Sequence, residues 1–389
     1  MRIAHVSDCY LPRLGGIELQ VHDLAQRQAM GGHAVSVITS SGGPRSDDPS
    51  TGSTVVRVGR ANPHAEKIYY RHSGRGPEAV ERGGFDVVHV HASTFSPLTF
   101  LTARHAANRG IPTVATVHSL WARATPLFHA ADRLTGWADW PVTWSAVSNA
   151  AAMPLRRILN GRAPVTVLPN GVSPEVWQVG HVARTPGELR LTAVMRLAPR
   201  KRPLQLARML LDVHRRLPAG TRIRVEIIGD GPEQGRLQRF VQRHQMTDWF
   251  RLCGRLTRAE IRATFARSDL FVAPAALESF GIAALEARCA GLPILALSGT
   301  GVEDFVIHGR DGWLVDSDAA MADTILGLGA SVSTLAQVAA HNRRVLPSIN
   351  WPMVLNGCDA LYQSATLQHG LPWQHDPTAA AIKESVAGH

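Results

Sequence analysis

The stretch RIAHVSDCYLPRLGGIELQVHDLAQRQAMGGHAVSVIT, residues 2–39, decides the fold class. Residues 2–6 form a short apolar run, residues 7–16 a polar loop, and from about residue 17 to residue 30 apolar side chains recur at helical spacing. Gly31 and Gly32 stop that helix, and residues 34–39 read as the next strand. Strand, loop, helix and strand in this order make the βαβ unit of a parallel sheet. Outward from it, strands are predicted at 54–58, 85–91, 112–118, 142–147 and 165–168, with helices between several of them.

Pro169-Asn170-Gly171 is a turn signature, and the polar stretch after it, residues 173–188, marks a domain boundary. The alternation then resumes. Strands are predicted at 189–195, 223–229, 250–253, 270–273 and 293–297, and helices at 203–217, 233–244, 258–267 and 281–290. The chain is therefore expected to be α/β, with two Rossmann-like domains facing a central cleft, residues 1–180 and 181–349. A helix near 350–365 returns to the first domain, and a loose polar tail follows at 366–389. Ligands of such sheets bind beyond the carboxyl ends of the strands.

Composition fits this reading. A chain of 389 residues, 45% hydrophobic and 19% charged, has the make-up of folded globular domains. Lysine and arginine number 41 against 31 acids, a net charge of +10, which points to an anionic partner without choosing among nucleic acid, phosphate-bearing small molecules and acidic membranes. No basic and aromatic run resembles a nucleic-acid reader, so nucleic acid is not expected. Cys9, Cys253, Cys289 and Cys358 stand far apart with no C-x-x-C pair, which suits a reducing, cytoplasmic setting. The first residues carry Asp8 and show no signal-peptide pattern, and the uncharged stretch 324–340 is too polar to span a membrane.

The most specific motif is Glu278-Ser279-Phe280-Gly281-Ile282-Ala283-Ala284-Leu285-Glu286, two glutamates separated by seven residues across a loop and the start of a helix. If the helix starts near Gly281, the N–H groups of Phe280, Gly281 and Ile282 are free to bind an oxygen anion or hydroxyl. Glu286 then lies one turn into the helix and Glu278 in the loop. Each carboxylate can accept two hydrogen bonds from a vicinal diol. A second cluster, Met195-Arg196-Leu197-Ala198-Pro199-Arg200-Lys201, follows the first strand of the second domain, and Arg196 and Lys201 suit a leaving diphosphate.

With these motifs the chain resembles the retaining glycosyltransferases of family 4, the group 1 enzymes of GT-B fold that include sucrose synthases and bacterial phosphatidylinositol mannosyltransferases. The resemblance covers about residues 2–365. It implies that Glu278 contacts the donor-sugar hydroxyls, Glu286 the nucleotide ribose, and Phe280, Gly281 and Ile282 the backbone-donor positions. It makes Arg196 and Lys201 the cations on the diphosphate. Met195 and Arg202 depart from it, since both positions usually hold glycine.

His118, at the end of its strand, matches the family's histidine near the donor sugar, whereas His5, His89 and His91 are read as structural. Gly15-Gly16 resembles the N-terminal phosphate-facing loop, and Gly229-Asp230-Gly231-Pro232 offers close approach to a nucleotide at Gly229 and Gly231. Five tryptophans, Trp121, Trp137, Trp140, Trp144 and Trp177, fall in the acceptor half. Core packing is expected for most, with Trp121 as the acceptor-contact candidate. Asp316-Ser317-Asp318 has the D-x-D form of a different glycosyltransferase fold and is read as a solvated loop, so no metal and no cofactor is expected.

The resemblance implies transfer of a hexose from a UDP- or GDP-linked sugar to an acceptor hydroxyl, with a membrane lipid or glycolipid among the candidate acceptors. The competing readings are a GT-B-type nucleotide-sugar epimerase and a non-catalytic anion or nucleic-acid binder. Arg60, Lys67, Arg71, Arg75 and Arg82, interleaved with Ile68, Tyr69 and Tyr70, form a basic segment suited to peripheral contact with anionic lipid at the inner face of the plasma membrane.

Overall fold

A computed structural model describes residues 1–43, 47–48, 52–59, 68, 70–182 and 185–372. The chain divides into two compact units, Met1–Gly171 with the C-terminal segment from Trp351, and Val172–Asn350. The division at Gly171 coincides with the Pro169-Asn170-Gly171 turn rather than with residue 180.

The first unit is built on an 8-stranded sheet of β1 (Arg2–Ser7), β2 (Ala34–Thr39), β3 (Asp47–Asp48), β4 (Ser53–Arg57), β5 (Val87–Ala92), β6 (Thr113–Val117), β7 (Thr143–Ala146) and β8 (Val165–Val167). Their spatial order is β3-β4-β2-β1-β5-β6-β7-β8, and every pairing is parallel except the short β3 against β4. Helices α1 (Gly16–Met30), α2 (Gly76–Gly83), α3 (Pro97–Asn108), α4 (Thr125–Thr135) and α5 (Asn149–Leu159) connect the strands. The order reverses between β1 and β5, the crevice where a doubly wound sheet receives its ligands. Strands β5 and β6 are buried along their whole length, the signature of a parallel sheet covered on both faces.

The C-terminal helix Trp351–Gln368 completes this unit. Its buried residues Trp351, Val354, Cys358, Leu361, Tyr362 and Ala365 recur at helical spacing and pack on Ile3, Val21, Leu24, Val114 and Leu168. Gly171 and Gly357 make the seat, since a Cβ on Gly171 would stand 2.4 Å from the Trp351 ring and one on Gly357 2.8 Å from Leu168. Arg27 covers the ring of Trp351 at 4.2 Å.

The second unit carries a 6-stranded parallel sheet of β9 (Glu188–Val194), β10 (Arg222–Ile228), β11 (Phe250–Gly254), β12 (Leu270–Ala273), β13 (Ile294–Leu297) and β14 (Gly312–Val315), in the order β11-β10-β9-β12-β13-β14. This is the 3-2-1-4-5-6 order of a Rossmann sheet, with its switch point between β9 and β12. Its helices are α6 (Pro174–Trp177), α7 (Pro203–Arg216), α8 (Gln234–Arg243), α9 (Arg258–Arg267), α10 (Ile282–Cys289), α11 (Asp318–Ala330) and α12 (Val332–Arg344). Strand β14 was not expected from the sequence. Its four residues carry Gly312 at the edge, where a Cβ would stand 2.0 Å from the Ile294 carbonyl oxygen, so a turn-forming residue serves here as a strand residue. Among the described residues, no single helix is long and apolar enough to cross a membrane.

Candidate active site

In the second unit the candidate residues gather at the carboxyl ends of β9, β10, β12 and β13. The loop after β9 bends through Pro199–Lys201, and the Lys201 ammonium donates to the Glu278 carboxylate from the loop after β12. Both side chains are mostly buried, 20% and 16% exposed, so the charges neutralise each other where water is scarce. Arg196 is half-buried, and its guanidinium meets no carboxylate or carbonyl among the described residues.

Gly229 and Gly231 serve a packing purpose. A Cβ on Gly229 would stand 2.0 Å from the Met195 carbonyl oxygen and one on Gly231 2.5 Å from that of Leu197, with φ of +123° and +149°. The Leu197 N–H donates to the Asp230 carbonyl at 2.6 Å and the Glu233 N–H to the Leu197 carbonyl at 2.8 Å. The two glycines therefore let the β10 loop press against the loop that carries Arg196 and Lys201.

Arg202 stands where the resembled family usually has glycine, and it takes glycine's conformation, φ +60°. Its side chain compensates, donating to Asp318 at 2.5 Å and to the Pro274 carbonyl at 3.0 Å. Asp318 is thus the ion-paired first residue of α11, with Ser317 as its N-cap, and not part of a solvated loop.

Gly281 caps α10 at φ +93°, and a Cβ there would stand 2.8 Å from Val302. The amides of Phe280 and Gly281 have no acceptor among the described residues, and the Ile282 amide begins the helix, where N–H groups lack partners. Three such donors thus lie at the positive end of a helix dipole. The Phe280 side chain is buried against Phe305 at 5.6 Å, so only its backbone can serve a ligand. Glu286 is half-buried one turn into α10.

One contributor escaped the sequence reading. Gly301 donates its N–H to the Glu278 carbonyl at 2.9 Å, and a Cβ on it would stand 2.2 Å from the Ser279 carbonyl oxygen. The Ser298-Gly299-Thr300-Gly301 run after a strand is itself a recognisable small-residue loop.

In the first unit, Gly15 is extended at φ −173°, and the place of its absent side chain is taken by the Glu18 carboxylate, 2.4 Å from where a Cβ would be. Glu18 is buried and paired with Arg13 at 3.0 Å. The expected phosphate-facing loop therefore already holds a carboxylate of its own beside Gly15, while Gly16 opens α1.

His118 follows β6 and is 6% exposed, its backbone N–H donating to the Ala92 carbonyl at 2.8 Å. Burial pushes its imidazole down to about 3, so it is neutral near pH 7. Its Nε2 lies 3.0 Å from His91 Nδ1, and His91 Nε2 lies 3.0 Å from His5 Nδ1. The histidines read as merely structural thus lead directly to it. The signal was the alternation His89-Val90-His91 in a buried strand, which puts both imidazoles on one sheet face beside His5. His5, His89 and His91 could geometrically cradle a metal ion, but each of their ring nitrogens is already within hydrogen-bond distance of a protein group.

Trp121 requires a correction. It is fully buried, stacked on Phe128 at 4.0 Å and edge-on to Trp137 at 6.2 Å, so it is a core residue and cannot touch an acceptor. Trp137, Trp144 and Trp177 are buried as well, and of the five only Trp140 keeps a partly exposed face. Arg71, Arg75 and Arg82 are exposed, while Arg60, Lys67 and Tyr69 lie outside the described residues.

Residues 14–176 match the family described as Glycosyltransferase Family 4, and residues 182–330 the one described as Glycosyl transferases group 1. The chain is 26% identical to the gpi3 component of phosphatidylinositol N-acetylglucosaminyltransferase of Schizosaccharomyces pombe, over 94% of this chain and 81% of that protein. It is 28% identical to a GDP-mannose-dependent alpha-mannosyltransferase of Mycolicibacterium smegmatis, over 93% and 96%. The crystal structure of Anabaena Alr3699/HepE in complex with UDP superposes with a TM-score of 0.72 at 17% identity, over 94% of this chain and all 100% of that one. Both sheets, the strand-end loops and the two matched segments lead to one conclusion: the chain belongs to the group 1 glycosyltransferases of family 4, enzymes of GT-B fold that use nucleotide sugars.

Proposed function

We propose that this chain is a retaining, metal-independent hexosyltransferase that moves a hexose from a UDP- or GDP-linked sugar to a hydroxyl of a lipid or glycolipid in the cytoplasm. The observation that carries the reading is the grouping, within one unit, of Arg196, Lys201, the unpartnered amides of Phe280 and Gly281, and the Glu278 carboxylate. Cations and amides suit a diphosphate, and the carboxylate suits the sugar hydroxyls beside it. On donor binding Lys201 exchanges Glu278 for a phosphate oxygen, which releases the carboxylate to the sugar.

In the transfer step the bond from the anomeric carbon to the phosphate oxygen breaks, and the acceptor oxygen bonds to that carbon on the same face. The acceptor proton passes to the departing phosphate oxygen. Arg196, Lys201 and the helix amides stabilise the charge that develops there, which is the work a metal does in other transferases. The lipid acceptor is supported by the name of the Schizosaccharomyces relative and by the exposed Tyr70, Arg71, Arg75 and Phe95, whose two aromatic rings meet at 5.0 Å.

The test is incubation with labelled UDP-glucose and GDP-mannose, with and without phosphatidylinositol vesicles, in excess EDTA. An α-linked glycolipid and free nucleoside diphosphate are expected. A β-linked product would reject retention, and activity restored only by a divalent ion would reject metal independence. Free sugar formed without an acceptor would favour the epimerase.

A further inference from the structure

His118 ends a buried hydrogen-bond chain whose other end is a backbone carbonyl, and a carbonyl can only accept. Ser145 Oγ donates to the Ala115 carbonyl at 3.4 Å, so Thr116 Oγ1 donates to Ser145 Oγ at 2.6 Å. Thr116 then accepts from His89 Nε2–H at 2.7 Å, which leaves His89 Nδ1 to accept from the Tyr362 hydroxyl at 3.0 Å. The Tyr362 oxygen accepts from the Gln28 amide nitrogen at 3.0 Å, and the Gln28 carbonyl oxygen accepts from His5 Nε2–H at 2.6 Å. A neutral imidazole has one N–H, so His5 Nδ1 accepts from His91 Nε2–H, and His91 Nδ1 accepts from His118 Nε2–H, each at 3.0 Å.

We propose that Gln28, His5 and His91 are positioning residues that fix the tautomer of His118, leaving its Nδ1 as a bare acceptor. The chain runs in one direction because each member supplies a single proton to the next. All four histidines are buried, and burial holds every one of them well below the ordinary histidine range, so none carries the second proton that would break the sequence. Tyr362 ties the relay to the C-terminal helix, and its hydroxyl is pushed well above the ordinary range, so it too remains a donor. The consequence is that His118 Nδ1 can accept a hydrogen bond from a ligand hydroxyl but cannot donate one. It therefore discriminates for a hydroxyl and against a group that only accepts.

The test is nitrogen-15 NMR of histidine-labelled protein, with the His118 resonances identified by their loss in His118→Ala. The native protein should show Nε2 protonated and Nδ1 unprotonated for His118. In Gln28→Met, which keeps the volume but removes both ends of the amide, the opposite tautomer should appear. Turnover should then fall by roughly tenfold with the affinity for nucleoside diphosphate unchanged. A native His118 protonated at Nδ1 overturns the proposal, and so does an unaltered tautomer in a folded Gln28→Met protein. The tautomer readouts do not need a substrate, so they stand or fall apart from the transferase reading. A native tautomer as expected, with no transfer to any acceptor, would reject the function and leave the relay.

Discussion

Replacing Gly301 by alanine tests whether the loop after β13 shapes the donor site. The added Cβ would stand 2.2 Å from the Ser279 carbonyl oxygen and 2.6 Å from the Phe280 Cα, both backbone atoms, where ordinary contact begins near 3.4 Å. The two loops must therefore part by about 1 Å, and the bond from the Gly301 N–H to the Glu278 carbonyl opens with them. Overpacking of this kind costs about 1–3 kcal/mol, or a fall in Tm of roughly 2–4 °C for each kcal/mol in a unit of this size. The functional cost is larger, because misplacing a catalytic group by about 1 Å can lower turnover on the order of a hundredfold. Gly327→Ala is the matched control, since Gly327 is exposed within α11 with nothing within 4 Å of its Cβ position. It should gain up to about 1 kcal/mol from helix propensity. Thermal melts, donor affinity by calorimetry and initial rates on both variants decide the matter. A Gly301→Ala protein as stable and active as the parent would refute the argument that this loop holds Glu278 in place.

Glu286→Ala should weaken nucleotide binding and Glu278→Ala should slow transfer, each by about 1.5–3 kcal/mol for a lost hydrogen bond to a carboxylate. Unchanged nucleotide affinity in a folded Glu286→Ala would sink the ribose assignment. Stability should fall on acidification, since His5 and His118 are held at about 4 and about 3, below the ordinary 6.5. The unfolded chain then binds more protons, so the stability present above pH 6.5 is lost as pH falls towards 4, by about 2 kcal/mol per histidine at pH 5. Equal urea midpoints at pH 7 and pH 5 would contradict this. Trp121→Ala should lose about 3–5 kcal/mol by opening a cavity, whereas Trp121→Phe should leave the KM for acceptor unchanged. Glutamates at Arg71 and Arg75 should abolish salt-sensitive co-sedimentation with anionic vesicles, and equal pelleting of parent and variant would remove the membrane from the account.

Both sheets were legible because parallel strands leave buried apolar runs separated by helical periodicity, and residues 2–39 carry that pattern without interruption. Glu278, Gly281 and Glu286 were legible because a helix start fixes their relation locally. Trp121 misled for a different reason. Its nearness in sequence to His118 says nothing of direction, and Phe128 and Trp137, which enclose it, come from α4 and the turn beyond. Gly229 and Gly231 were rightly placed at a strand end, but their carbonyl neighbours at Met195 and Leu197 arrive from the loop after β9. The histidine chain was hidden because it joins residues as far apart as Gln28 and Tyr362, a contact no local spacing records. Arg202 shows the converse: a departure from the family pattern left the backbone in glycine's conformation and found a partner in Asp318.

The helix Trp351–Gln368 gives the chain a timetable. Its tryptophan, tyrosine and leucine side chains fill the core of the first unit, yet they are translated after all of Val172–Asn350. At about 5–20 residues per second, a ribosome spends roughly 10–40 s on the intervening segment, long enough for the second unit to fold first. Until then the nascent first unit keeps an open groove over Ile3, Val21 and Leu168 and lacks the Tyr362 hydroxyl that joins Gln28 to His89. The half that is made first is thus finished last, and the hydrogen-bond chain leading to His118 closes only once Tyr362 has been made.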